Sequence, residues 1–254
     1  MKKNINKSLK NHEIQEIYGY HSVKAALKNS RRKHFTLFIT KKYEDLIKDN
    51  AKLPKTKILS TKEMSKMFGN ESVTQGIVLK TTHLQNKNIN EVLLKIKKND
   101  QSLIVVLDQV TDPQNIGSIM RSCALFNCNT LVVGKDHAPN ITPALTKSAS
   151  GATELVNYIK VVNVKRTLED LKKNGYWVYG LDGSSKNHLE QINLPKKCVL
   201  VLGSENKGIR DLNKKACDSL FSLKYKPNEL YEIDSLNVSN ACSLALYEHF
   251  KKYN

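Results

Sequence analysis

The sequence predicts an α/β protein in two parts, a small α/β unit followed by a larger one built on a parallel sheet. From residue 102 onward, short apolar runs ("SLIVVLD", "TLVVGK", "YIKVVNV", "YWVYGLD", "CVLVLGSE") alternate with segments of helical periodicity. Strands of that kind are buried on both faces, as in a parallel sheet covered by helices. A polar, Lys-rich stretch, "TTHLQNKNINEVLLKIKKN", separates this region from the first eighty residues. Charge divides at the same place. Residues 1–100 hold 22 Lys and Arg against 9 Asp and Glu, a net of +13, and residues 101–254 hold 19 against 15, a net of +4, giving the total of +17. A basic excess of this size points to a polyanionic partner, nucleic acid first. A Lys- and Asn-rich composition also arises from base bias alone, so charge by itself leaves the partner open.

The elements follow in order. Residues 1–15 are basic, with no apolar h-region and no small-residue cleavage site, and are read as a flexible tail, not a secretory signal. In residues 16–82, "YGYHSVKAALKNS" places Val23, Ala26 and Leu27 at helical spacing, "FTLFIT" and "TKILS" read as strands, Ser60 or Thr61 caps a helix, and "VTQGIVLK" closes the unit as a strand. Residues 83–100 are the linker, with one helical turn over Val92–Ile96. In residues 101–254 the expected helices are Ile116–Phe126, Pro143–Ser150, Val164–Asn174, Ile209–Ala216 and one at the C-terminal end.

Several classes are excluded as expectations. No apolar run approaches the roughly 18 residues of a membrane span. Cys123, Cys128, Cys198, Cys217 and Cys242 are odd in number and form no CxxC, so free thiols in a reducing, cytoplasmic compartment are expected. The seven histidines show no ligand spacing, so no metal is expected.

Ligands of open α/β sheets sit beyond the C-terminal ends of the strands, and three segments stand out there. After "SLIVVLD" comes "QVTDPQNIGSIMRSCALF": Gln114 or Asn115 caps a helix, Gly117 permits close backbone approach, and Arg121 lies off the face shared by Ile116, Met120, Cys123 and Ala124. After "CVLVLG" comes "SENKGIRDL", with Glu205 on the loop between Gly203 and Gly208. The alternatives are a solvated Arg121 and a Glu205 paired with a helix dipole. The third segment, "SLNVSN", alternates Ser235, Asn237 and Ser239 with Leu236 and Val238 and supplies more capping side chains than one helix start needs. Neither glycine loop is a GxGxxG or a GxxxxGK[ST].

Together, "TDPQNIGSIMRS", "VLGSENKG" and "SLNVSNA", with "TKSASGATE" between the first two, resemble the SpoU/TrmH family of RNA ribose 2'-O-methyltransferases, of the SPOUT class. The resemblance covers residues 17–252 and includes, through "YGYHSVKAAL" to "TQGIVLK", the family's small L30e-like substrate-binding domain. It is typical of the subgroup acting on a guanosine of 23S rRNA. It implies a C-terminal domain threaded into a trefoil knot, S-adenosyl-L-methionine as cofactor, no metal, and a homodimer whose protomers share the active site. It implies that Leu202, Gly203, Gly208, Pro227 and Leu236 hold the cofactor, that Ser235 and Asn237 order the site, and that Asn115 and Glu205 position the reacting groups. Arg121 would stabilise the developing alkoxide, since an arginine of ordinary pKa is no base. Two departures are visible: Pro227 stands where the family usually has Ile of an Ile-Pro pair, and Thr74 where it often has His before "QG". A tRNA methyltransferase and a non-catalytic RNA-binding or ribosome-assembly protein remain the alternatives.

Overall fold

The computed structural model describes residues 14–48, 53–69, 74–85, 87–96, 101–136, 138–226 and 235–254. The chain forms two compact units, one of Met1–Gln85 with Ile141–Glu154, the other of Asn86–Asn140 with Leu155–Asn254.

In the first unit four strands, β1 (Ile14–Tyr18), β2 (His34–Ile39), β3 (Lys55–Ile58) and β4 (Ile77–Thr82), lie in the order β1-β4-β2-β3. β4 is antiparallel to both neighbours and β2 runs parallel to β3. β1 is an addition to the sequence reading, which began the unit with a helix; the rest of the expected tail, residues 1–13, lies outside the described residues. Alternation sorts the side chains. Ile17, Leu37, Ile39, Ile77 and Leu79 pack with Val23 and Ala26 of α1 (Tyr20–Lys28). Tyr18, Phe38 and Val78 pack with Met64, which lies on a helix with Ser60 at its N-cap. Ser60 and Glu63 there form a reciprocal capping box, so Ser60 and not Thr61 caps. The strand expected from "VTQGIVLK" begins only at Ile77, because Gln75 and Gly76 turn with φ of 55° and 78°. A Cβ on Gly76 would lie 2.6 Å from the Thr40 hydroxyl, and the buried Thr74 hydroxyl accepts the Gly76 N–H.

Four further helices precede the second sheet or leave it: α2 (Asp45–Lys48) and α3 (Thr61–Phe68) in the first unit, then α4 (Ile89–Ile96) and α5 (Pro113–Leu125) in the second. α6 (Pro143–Ala149), though late in sequence, belongs to the first unit, where Ser22 donates to the Thr146 carbonyl. Its following turn places Glu154 against Arg32. The two side chains are 4% and 1% exposed and joined by two 2.8 Å bonds. Asn29 adds a bond to the same carboxylate, and the remaining Arg32 donor reaches Gln15 and the Thr82 carbonyl.

The second unit is a six-stranded, all-parallel sheet in the order β10-β8-β9-β5-β6-β7. Its strands are β5 (Ser102–Asp108), β6 (Thr130–Gly134), β7 (Asn157–Val161), β8 (Trp177–Leu181), β9 (Lys197–Gly203) and β10 (Ser219–Phe221). Five coincide with the apolar runs. β10 is only three residues long and gave no such run. On one face Ile104, Val106, Val178, Val199 and Val201 pack with Val92 and Leu93 of α4 and with Leu168 and Leu171 of α7 (Val164–Lys173). α5 and α9 (Val238–Tyr253) pack together and against β6 and β9. α8 (Asp211–Lys214) is shorter than the expected Ile209–Ala216, because Ile209 and Ala216 serve as core contacts at its two ends. The linker's single turn extends to the whole of α4. Four of the five cysteines are buried, and burial pushes the half-buried Cys217 thiol up to about 12. Among the described residues no helix is long and apolar enough to cross a membrane.

Arg32→Ala will leave a buried carboxylate without its cation and should destabilise the protein by about 3–5 kcal/mol. Arg32→Met/Glu154→Met will lose less than the two single changes summed. Urea denaturation of the full chain measures both.

Candidate active site

β5 and β9 are neighbours whose onward connections run to opposite sides of the sheet, β5 to β6 and β9 to β10. This is the switch point at which open parallel sheets form a crevice, and the three quoted segments meet there.

Asp112 caps α5 by accepting from Gln114 N–H, with Pro113 in the first turn. The sequence reading gave the cap to Gln114 or Asn115. With Asp112 in that role, the Asn115 side chain is free to reach away from its helix. β9 ends at Gly203, and the chain turns back through Ser204–Gly208, closed by the Gly208 N–H to Ser204 carbonyl bond of 2.8 Å. A Cβ on Gly203 would lie 1.9 Å from the Gly208 carbonyl carbon and 2.2 Å from the Ile209 nitrogen. Two ion pairs fix the exit of this loop. Asp108, fully buried at the end of β5, accepts from the Arg210 N–H at 2.9 Å and from its guanidinium at 2.9 and 2.8 Å. Asp182, after β8, meets Lys214 at 2.6 Å. Partial burial pushes the Asp182 carboxyl up, but Lys214 and the Ser184 donors outweigh it and hold it below its ordinary value.

The loop delivers Glu205 to a three-way network. Its Oε1 accepts from Asn237 Nδ2 at 2.7 Å, Asn115 Nδ2 at 3.1 Å and Val238 N–H at 3.3 Å. Asn237 Nδ2 also donates to Asn115 Oδ1 at 3.0 Å. Meanwhile Asn237 Oδ1 accepts from the Ser239 N–H at 2.9 Å and the Ser239 hydroxyl at 2.5 Å. One side chain therefore caps α9 with its carbonyl and joins the site with its amide.

Beside the network is a cleft of about 200 Å³. Leu202, Gly203, Glu205, Gly208, Ser235 and Leu236 line it, as do Leu181, Gly183, Ser204, Leu223, Tyr225, Val238 and Ala241. The sequence reading gave none of the second group a place in the site. Leu181 ends a legible strand and Gly183 follows it, but Leu223 and Tyr225 follow β10, which left no signal. Pro227 lies outside the described residues. Arg121 is exposed on α5, with no bond to the network. Among the described residues the lining contains no Lys or Arg and one carboxylate. A phosphorylated ligand would meet no counter-charge here. A largely apolar ligand that is neutral or positively charged fits, with hydroxyls and main chain to bind its polar edges.

Residues 102–247 match the SpoU rRNA Methylase family, and residues 17–87 match the family described as RNA 2'-O ribose methyltransferase substrate binding. The chain belongs to the SpoU rRNA methylase family. It is 32% identical over 243 residues to the 23S rRNA (guanosine-2'-O-)-methyltransferase RlmB of Coxiella burnetii, covering 93% of this chain and 95% of that one. The enzyme of the same name from Pseudomonas putida is 31% identical over 245 residues, covering 93% and 96%. Among solved structures, the SpoU methyltransferase AviRb from Streptomyces viridochromogenes in complex with AdoMet superposes with a TM-score of 0.76 at 17% identity, over 98% of this chain and 93% of that one. This likeness is of fold.

Gly203→Ala should destabilise the protein by at least the roughly 1–3 kcal/mol of an overpacked core, because the atoms it would strike are main chain. Thermal unfolding, compared with Gly134→Ala, where a Cβ would meet only an ordinary 3.7 Å contact with Val164, measures the difference.

Proposed function

We propose that the protein transfers a methyl group from S-adenosylmethionine to the ribose 2'-hydroxyl of a guanosine in 23S rRNA. The observation that carries this is the cleft at the β5/β9 switch point, whose lining among the described residues holds a carboxylate and no cation in a protein of net charge +17, and which abuts the Glu205–Asn115–Asn237 network. S-adenosylmethionine, bound there, supplies a methyl group on a positively charged sulfur. Leu202, Gly203, Gly208 and Leu236 hold the donor, and Glu205 gives the cleft the negative charge a sulfonium prefers. Asn115, Asn237 and Glu205, locked to one another, fix the orientation of the incoming hydroxyl, which is the main requirement for attack by a weak nucleophile. Arg121 offsets the charge that develops on the 2'-oxygen.

The active unit is a homodimer. Arg121 and Leu125 lie one turn apart on α5, and Leu125, Leu244 and Tyr247 are 66%, 47% and 48% exposed on helices that pack together. A second copy seated on that apolar face explains why Arg121 stands apart from its own chain's network, since it would serve the partner's site. The assignment to rRNA is supported by full-length similarity to the two RlmB enzymes, which extends through the small first unit. The division into an RNA-binding unit at residues 16–82, a linker at 83–100 and a knotted methyltransferase unit at 101–254 belongs to the same proposal.

Calorimetric titration with S-adenosylmethionine should show binding to the wild type that weakens in Asn237→Ala. Arg121→Ala should bind the cofactor normally, yet transfer methyl groups to RNA on the order of 10²-fold more slowly, as when one charge-stabilising group is lost. Near-full transfer by a folded Arg121→Ala protein would refute the role given to Arg121.

A further inference from the structure

The first unit carries an aromatic surface that neither its core nor the methyl-transfer site accounts for. Tyr20, at the start of α1, and Tyr43, in the turn after β2, are half-buried and stacked, with ring centroids 5.5 Å apart and planes 14° apart. Their inner edges close the rim of the core beside Leu27 and Leu46. Around their outer sides stand exposed cations. Lys24 Nζ lies 5.5 Å from the Tyr20 centroid and donates to that ring's hydroxyl at 3.5 Å, and Lys42 Nζ lies 5.4 Å from the centroid of Tyr43. His21 meets Tyr20 edge-on at 5.3 Å. Lys24 also shares with Lys28 the wall of a small apolar cleft of about 120 Å³.

Closing the rim of a core needs only apolar bulk, and leucine would serve. Two stacked rings beside exposed cations suit a different task. Unpaired bases stack on aromatic faces whatever their sequence, and nearby lysines take up the phosphates on either side. The charge agrees, since residues 1–100 carry a net of +13. We propose that Tyr20 and Tyr43 are a stacking platform for an unpaired base of the substrate RNA, with Lys24 and Lys42 turning from the rings to the flanking phosphates. This rests on the reading of the first unit as RNA-binding and adds the residues and the kind of nucleotide they take.

The test uses the full chain and two RNAs of equal length, a hairpin with an unpaired purine loop and an uninterrupted duplex, in fluorescence anisotropy. Tyr20→Leu and Tyr43→Leu should each weaken hairpin binding roughly ten-fold, the scale of one base–aromatic stack, and leave duplex binding unchanged. Tyr43→Phe should bind as wild type. Leucine variants that hold the hairpin as well as wild type overturn the proposal, as does an equal loss on both RNAs, which would mean a damaged fold or lost charge. If the leucine variants melt early, Tyr43→Trp in a Trp177→Phe background, which removes the one native tryptophan, gives a second reading. Its emission should be quenched by the hairpin and not by the duplex, and unchanged emission with saturating hairpin overturns the proposal. Wild-type protein that binds neither RNA would sink the underlying RNA-binding reading as well, a failure visible without any variant.

Discussion

At the end of β9 two stretches of main chain approach more closely than any side chain would permit. The space a Cβ would need on Gly203 is taken by the carbonyl of Gly208 and the nitrogen of Ile209. Much else follows from this contact. It lets Ser204–Gly208 fold back on the strand that precedes it, so the Glu205 carboxylate, though exposed, meets Asn115 and Asn237. It also makes the floor of the cleft out of main chain. The ion pairs Arg210–Asp108 and Lys214–Asp182 hold the loop's exit to the ends of β5 and β8, the two strands flanking β9. A buried Asp108 that lost Arg210 would be left charged and unpaired, which gives the loop one strongly preferred position.

Charge is divided unevenly along the chain. The basic excess lies in the first hundred residues, while the cleft at the switch point has, among the described residues, a carboxylate and no cation in its lining. An enzyme that must gather a polyanion and a sulfonium gains from this arrangement. Phosphates are drawn to lysines remote in sequence from the cleft, and the cleft itself does not favour them.

Much of this was legible in the sequence, for physical reasons. Strands buried on both faces must be apolar throughout, so β5 to β9 announced themselves. The functional loops were found by looking just past those strands. What escaped was structure whose cause is tertiary. β1 and β10 carry no distinctive pattern, since their pairing partners decide their conformation, and with β10 went Leu223 and Tyr225. The cap of α5 was misplaced by two or three residues, because Asp112 and Asn115 both suit the role and only the fold shows that Asn115 is engaged elsewhere. The surplus of polar residues in "SLNVSN" was visible, but its explanation was not. Asn237 alone serves two ends, its carbonyl for the helix and its amide for Glu205. The roles of Asn115, Arg121, Glu205 and Asn237 came from resemblance to a family, and spacing alone would have left each with a plain structural alternative.

The most direct measurement is nucleoside analysis of a 23S rRNA transcript after incubation with the protein and isotopically labelled S-adenosylmethionine. The account requires labelled 2'-O-methylguanosine at one position, and none when that guanosine is replaced by its 2'-deoxy counterpart. Label on a base, label that persists on the deoxy substrate, or no transfer to transcript or to ribosomal particles would contradict it.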